Sequence, residues 1–302
     1  MKKVALLIVT LIIFSLPAYG KDDNVINLGI LGYLGTTEMA FQEGFDNLRN
    51  VVKPDMLPDD QDAYPFIRSL LEQRHIVHFY NSLMNMMMGL RSGRVDRVML
   101  PMSTANYVLS INSNYEAEKH VLMLPSSLSF AFLEDNVDLK NEFDEVLTAM
   151  KEDGTLRALE QKYVKQMGQR VESIKPEFFS GADTITVAVT GDMPPLDMFA
   201  GDGNPAGYST AILAEIGKRL QKNIKFLNVS AGGRSSALYS GRADVVFWCR
   251  VTEKMPDMLE EVKKLFTDKP AGVILSVPYY SWDKEVLIKN KEKGGFFNMF
   301  RR

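Results

Sequence analysis

Nine residues of this chain occur twice in nearly the same form. Leu90–Val98 reads LRSGRVDRV and Leu238–Val246 reads LYSGRADVV, so both fit Leu-x-Ser-Gly-Arg-x-Asp-x-Val. Each copy follows a helical pattern and precedes a short apolar run. Ser-Gly stops a helix, because glycine takes the left-handed conformation that a helix end requires. The aspartate after the turn can accept backbone N–H groups, so Asp96 and Asp244 are expected to fix turns. A chain that builds one helix–turn–strand unit twice is expected to have two similar lobes. Two lobes make a cleft, and concave sites are where small molecules bind.

The first twenty residues do not belong to either lobe. Met1-Lys2-Lys3 is a short basic start, Val4–Leu16 is apolar apart from Thr10 and Ser15, and Pro17-Ala18-Tyr19-Gly20 ends in small residues. That is the pattern of a secretory signal peptide over residues 1–20. The run is short for a bilayer span, so the remaining chain is expected to be an exported, periplasmic protein. Without Lys2 and Lys3 the balance is 33 basic against 38 acidic residues, a net charge of -5 from the 35 and 38 of the whole chain. That charge gives no electrostatic case for nucleic acid. The one cysteine, Cys249, has no intramolecular partner for a disulfide. The core must then supply the stability, and the 46% hydrophobic composition allows it.

Alternating strands and helices run through the rest and predict an α/β fold with mainly parallel sheets. Val25–Leu31 and Ile76–Tyr80 read as strands, with a Gly-Thr-Thr turn between them in which Thr36 or Thr37 can cap a helix. Ser82 opens a helix with Leu83, Met86, Met87 and Leu90 on one stripe. Asn141–Met150 and a segment from Thr155 form further helices, and Lys165–Asp183 reads as a linker. In the second half, Ile185–Val189, Ile224–Val229, Val245–Trp248 and Val286–Ile288 are predicted strands. Ser209 or Thr210 is expected to cap the helix that carries Leu213, Ile216 and Leu220. A basic, aromatic tail, KEKGGFFNMFRR, ends the chain.

These motifs together resemble the family 3 extracellular solute-binding proteins, the amino-acid-type periplasmic binding proteins. Thr184–Val246, with Pro194-Pro195, Gly207-Tyr208 and the second Ser-Gly copy, resembles that family's opening lobe. Val277-Pro278-Tyr279-Tyr280 and Glu285–Ile288 are similar to its closing element and crossover strand. Val25–Val164, with Gly35-Thr36-Thr37, the first Ser-Gly copy, Ser103–Tyr107 and Asp153–Leu156, resembles the other lobe. The resemblance implies a two-lobed fold of type II with a hinge between lobes. The lobes come in reverse order, which implies a circular permutant, or alternatively a fusion of two half-domains that pair with another copy. The expected organisation is a signal peptide (1–20), a lobe resembling the family's second lobe (21–140), closing helices and linker (141–183), and a lobe resembling its first lobe with crossover strand and tail (184–302).

The resemblance also implies a ligand between the lobes, an inner-membrane ABC permease or a receptor as partner, and a monomer without cofactor. The family's charged clamps for an α-amino acid are replaced. Met255 or Pro256 stands where its arginine would be, Pro101 where its aspartate would be, and Met193 where its pocket aromatic would be. The expected ligand is therefore a small polar or carboxylate-bearing solute other than a plain α-amino acid. Its expected contacts are Thr36, Thr37, Ser103, Met193, Trp248, Cys249 and Arg250. Arg250 would supply a replacement cation and Trp248 a stacking face.

Two other functions fit parts of the sequence. One is a binding-protein-like sensor or interaction partner with no role in small-solute transport. The other is a copper binder, since Met84, Met86, Met87 and Met88 fall among 17 methionines and thioethers suit Cu(I). Against that, Met86 and Met87 complete an apolar helix stripe, and His75 and His78 should face opposite sides of a strand. No catalytic residue is assigned: Gly207–Ala211 only half-resembles a nucleophile elbow, and His75, His78 and His120 all lie in the other half.

Overall fold

The structure is a computed structural model and describes residues 25–51, 73–165, 171–253, 260–268 and 270–291. The signal-peptide segment, the C-terminal tail and the Met255-Pro256 pair lie outside the described residues. The first lobe opens with β1 (Val25–Leu31), α1 (Glu38–Val51), β2 (Arg74–Tyr80), α2 (Leu83–Ser92), β3 (Arg97–Pro101) and α3 (Met102–Ile111). A 19-residue strand, β4 (Tyr115–Leu133), then leaves it. Helices α4 (Val137–Glu152) and α5 (Thr155–Glu160) follow.

The second lobe is built from β5 (Thr184–Val189), the small hairpin β6 (Met198–Phe199) and β7 (Pro205–Ala206), α6 (Tyr208–Leu220) and β8 (Asn223–Asn228). It continues through α7 (Arg234–Tyr239), β9 (Val245–Thr252), α8 (Glu260–Phe266) and β10 (Val273–Leu275). A last long strand, β11 (Tyr280–Asn290), returns to the first lobe.

Both lobes have the same strand order. The path β2-β1-β3-β11-β4 in the first matches β8-β5-β9-β4-β10 in the second. In each, three strands are parallel and the strand arriving from the other lobe is antiparallel to the third. The long strands β4 and β11 pair with each other and pass through both lobes, so the two sheets are continuous. The fold is thus a two-lobed α/β architecture, with helices flanking each sheet and two crossover strands as the hinge.

The repeat fixes the same joint twice. Gly93 and Gly241 both have φ near +70°, at 75° and 67°, as the stop of a helix by glycine requires. Asp96 Oδ2 accepts the N–H of Asn27 at 2.9 Å, and Asp244 Oδ2 accepts that of Thr186 at 2.7 Å. The returning N–H groups of Asp96 and Asp244 donate to the carbonyls of the same two residues, each at 2.8 Å. Each aspartate therefore ties the third strand of its lobe to the first.

The helices α4 and α5 pack on the second lobe. Phe143, Leu147, Met150 and Leu156 are buried with Val187, Tyr208 and Ile212 in one core. The predicted cap of α6 is corrected. Its first residue is Tyr208 and its cap is Gly207, while Ser209 and Thr210 lie inside the helix. The Gly207 φ of 97° and the Pro195 carbonyl, 2.6 Å from where a Cβ would be, leave room for no side chain there. The N–H groups of Tyr208 and Ser209 instead donate to the Pro195 and Leu196 carbonyls, as uncapped helix starts require.

Candidate functional site

The loop after β1, Gly32–Gly35, lies against α7 and the segment after α8. Arg234 is fully buried; its Nε donates to the Ala231 carbonyl at 3.0 Å, and a terminal nitrogen donates to the Gly32 carbonyl at 2.8 Å. The Ser235 hydroxyl donates to the Leu34 carbonyl. Asp268, 1% exposed, accepts the Gly35 N–H at 2.7 Å through Oδ1, and its Oδ2 stands 3.8 Å from Arg234. Burial pushes the Asp268 carboxyl up while Arg234 opposes the shift. Burial likewise pulls the Arg234 guanidinium down, against the pull of Asp268.

A second buried ion pair sits beside the first, on the crossover strands. Arg250 of β9 lies 3.0 Å from Glu285 Oε1 of β11, with side chains 9% and 1% exposed. Trp282 Nε1 donates to the same oxygen at 2.7 Å. Burial raises the Glu285 carboxyl, against the opposing field of Arg250. The guanidinium carbon of Arg250 is 5.7 Å from the ring centres of both Phe266 and Trp282, within reach of cation–π attraction. Tyr33 is buried in the same field, with Arg250, Glu285 and Asp268 all acting on its phenol.

Several polar atoms in this region have no hydrogen-bond partner: Arg250 Nε and one terminal nitrogen, Asp268 Oδ2, and the Tyr33 hydroxyl. That terminal nitrogen is the one 3.0 Å from Glu285 Oε1, so its charge is paired. An unmet buried polar group costs about 1–3 kcal/mol. Groups of this kind, donors and acceptors together, suit a ligand that offers both.

The sequence-predicted residues scatter around this centre. Arg250 is in it. Cys249 is fully buried on the next position, its thiol donating to the Asp268 carbonyl. Trp248 lies on β9, with its side chain outside the described residues. Ser103, at the start of α3, is buried with its hydroxyl beside the Tyr280 phenol. Met193 is packed into the second-lobe core. Thr37 is exposed and caps α1 through the Ala40 N–H at 3.2 Å, and Thr36 precedes it half-buried. Arg234, Asp268, Glu285 and Tyr33 were not foreseen. Glu285 left one signal, an acid directly before the buried run Val286–Ile288 of β11.

A further carboxylate joins the lobes within the field of Arg234. Asp192 Oδ1 accepts the Leu83 N–H, at the start of α2, at 2.9 Å. Its burial pushes the carboxyl up to about 6, the Leu83 N–H opposing and Asp197 reinforcing.

Residues 185–254, which hold β5 through β9 and Arg250, match the model of the bacterial extracellular solute-binding proteins, family 3. That segment, under a quarter of the chain, is similar to the family. No curated protein matches the chain. Among solved structures, the ligand-binding component of an ABC-type import system from Staphylococcus aureus is 15% identical, with a TM-score of 0.39 over 88% of this chain and 66% of that one. A periplasmic substrate-binding protein of an ABC transporter from Coxiella burnetii is 10% identical, with a TM-score of 0.34 over 88% and 84%. A LysR family transcriptional regulator from Pseudomonas aeruginosa is 13% identical, with a TM-score of 0.32 over 88% and 63%. Among the described residues no helix is long and apolar enough to cross a membrane, and no three His, Cys, Asp or Glu side chains group as a metal site.

Proposed function

We propose that the chain captures a small polar solute between its lobes, held by Arg250, Asp268 and Tyr33. The observation that carries this reading is the set of unpartnered atoms on those three buried side chains. Arg250 Nε offers a donor to a carboxylate or other acceptor, and Asp268 Oδ2, 3.8 Å from Arg234, takes a donor. Phe266 and Trp282 flank the guanidinium and give the ligand an apolar wall. Pro101 in place of the family's aspartate and the pairing of Arg250 with Glu285 favour a ligand other than a plain α-amino acid. The family 3 match supports an exported, periplasmic role feeding an inner-membrane ABC permease. Native mass spectrometry of protein purified without refolding should detect a small-molecule adduct. Tyr33→Phe and Arg250→Ala should each reduce its occupancy; equal occupancy in all three proteins would remove this site.

The lobe order supports the reading as a circular permutant. Ile288 of β11 and Gly29 of β1 pair with the two sides of Val98 in β3. The end of β11 and the start of β1 thus lie at one end of the sheet, two strand spacings or about 10 Å apart. A chain that once ran from β11 into β1 needs only a short connection there, as permutation requires.

One observation favours the second reading, an interaction partner without a solute. Phe266 of the second lobe is buried against Phe41 of the first, ring centres 5.7 Å apart, in a core with Tyr33 and Phe45. The space between the lobes is in part filled by the chain itself. For the copper alternative, Met86 is fully buried in the first-lobe core while Met84 and Met88 are exposed. His75 packs on Phe45 and His78 meets Asn27.

A further inference from the structure

The contacts across the lobe boundary are made by the protein alone, and they are many. Three backbone N–H groups cross it: Leu83 to Asp192 Oδ1, Gly35 to Asp268 Oδ1, and Ala231 to the Asn81 carbonyl at 3.1 Å. Arg234 and Ser235 add side-chain bonds to the Gly32 and Leu34 carbonyls. Phe266 and Leu265 of α8 pack among first-lobe apolar groups. Of the second-lobe groups, Asp268 and Phe266 also border the proposed solute site, while Asp192, Ala231, Arg234 and Ser235 hold the boundary apart from it.

The boundary is also shaped for close approach. A Cβ on Gly35 would stand 2.6 Å from the Pro270 nitrogen, and one on Gly232 would stand 2.7 Å from Asn81 Oδ1. Gly35 and Asn81 belong to the first lobe, Pro270 and Gly232 to the second. Neither glycine has a φ in the left-handed region. Their lack of a side chain therefore serves the contact between lobes and not a local turn.

We infer that the lobes close on each other without a ligand, through a latch built from the Gly32–Gly35 loop, Asn81 and Leu83 on one side and Asp192, Ala231–Ser235 and Asp268 on the other. Closure driven by a solute would leave the boundary held mainly by groups that touch the solute. Here the boundary is satisfied by backbone amides, one fully buried arginine and an aromatic wedge. A solute would then enter a body that is already closed, through transient opening.

The test uses the full mature chain, unfolded in guanidinium, dialysed to strip any bound solute and refolded, with its bare mass checked by native mass spectrometry. Hydrogen exchange is read at three amides, Leu83, Gly35 and Ala231, with Val187 as the core reference. The latch predicts exchange about 100-fold or more slower than that of a free loop amide. It also predicts a radius of gyration by small-angle scattering equal to that of the closed structure. Exchange of all three at loop rates while Val187 stays protected would overturn it. Gly35→Ala should speed the three amides at least about tenfold and leave Val187 unchanged; no change would mean that the boundary does not protect them. If Gly35→Ala loses Val187 protection too, Gly232→Ala is read in its place. The outcome is separate from solute capture: free exchange in stripped protein that still carried an adduct before stripping would sink the latch and leave the proposed site standing.

Discussion

The two Ser-Gly copies do the same work in the two lobes, but the residues beyond them do not. Asp96 and Asp244 each lace a third strand to a first, with matching donors and acceptors. Past the first copy, β3 ends at Pro101, which caps α3 without a side-chain bond. Past the second copy, β9 continues to Thr252 and carries Arg250 into a buried ion pair. The repeat is symmetric in its scaffold and asymmetric at its strand ends.

Removing the asymmetric charge should give the largest effect. Arg250→Ala leaves Glu285 buried without its cation, a loss of about 3–5 kcal/mol in denaturant unfolding at pH 7. Pro101→Ala, at the equivalent strand end, should cost no more than about 1 kcal/mol. Similar losses at both ends would break the contrast.

The symmetric part should respond symmetrically. Asp96→Ala and Asp244→Ala are each expected to cost about 1.5–3 kcal/mol, since each removes a charged hydrogen bond to a backbone N–H. The double variant should show the sum, because the sites lie in different lobes. A large loss for one and none for the other would show that the copies are not equivalent.

Asp192 sharpens the comparison at the boundary between lobes. Its carboxyl titrates near 6 in the folded protein, against 3.8 for a free side chain. A raised acid stabilises the fold while protonated, fully below about 4, and that contribution is lost as pH rises through about 6. Asp192→Asn should therefore remove a pH-dependent part of stability between pH 4 and 7, worth roughly 1 kcal/mol after solvent screening. An unchanged pH profile would show that the carboxyl is not held there.

The smallest effect is expected from reordering the lobes. A rearranged chain that runs from 184 to 302 and then from 21 to 165 should keep the same circular dichroism and melt within about 5 °C of the parent. Failure to fold would contradict the equivalence of the two lobes and the permuted reading.

Much of the scaffold was legible in the sequence because its signals are local. Ser82 and Gly93 bracket α2, accepting the Asn85 N–H and taking the left-handed turn. Strand β4 was missed because Pro125 and the serines at 126, 127 and 129 break apolar alternation as it passes between lobes. The clustered charges were missed for a different reason. Arg234 meets Gly32 across 202 residues, and Gly35 meets Asp268 across 233, so nothing near either residue announces the contact. Arg250 came into view only through the family resemblance, two residues past the predicted strand Val245–Trp248.

The most direct measurement is a crystal structure of protein purified without refolding, at a resolution that places hydrogen-bond partners. Solute capture at the asymmetric strand end predicts density for one small molecule in contact with Arg250 Nε, Asp268 Oδ2 and the Tyr33 hydroxyl together. Satisfaction of those three atoms by protein groups, or by water alone, would contradict it.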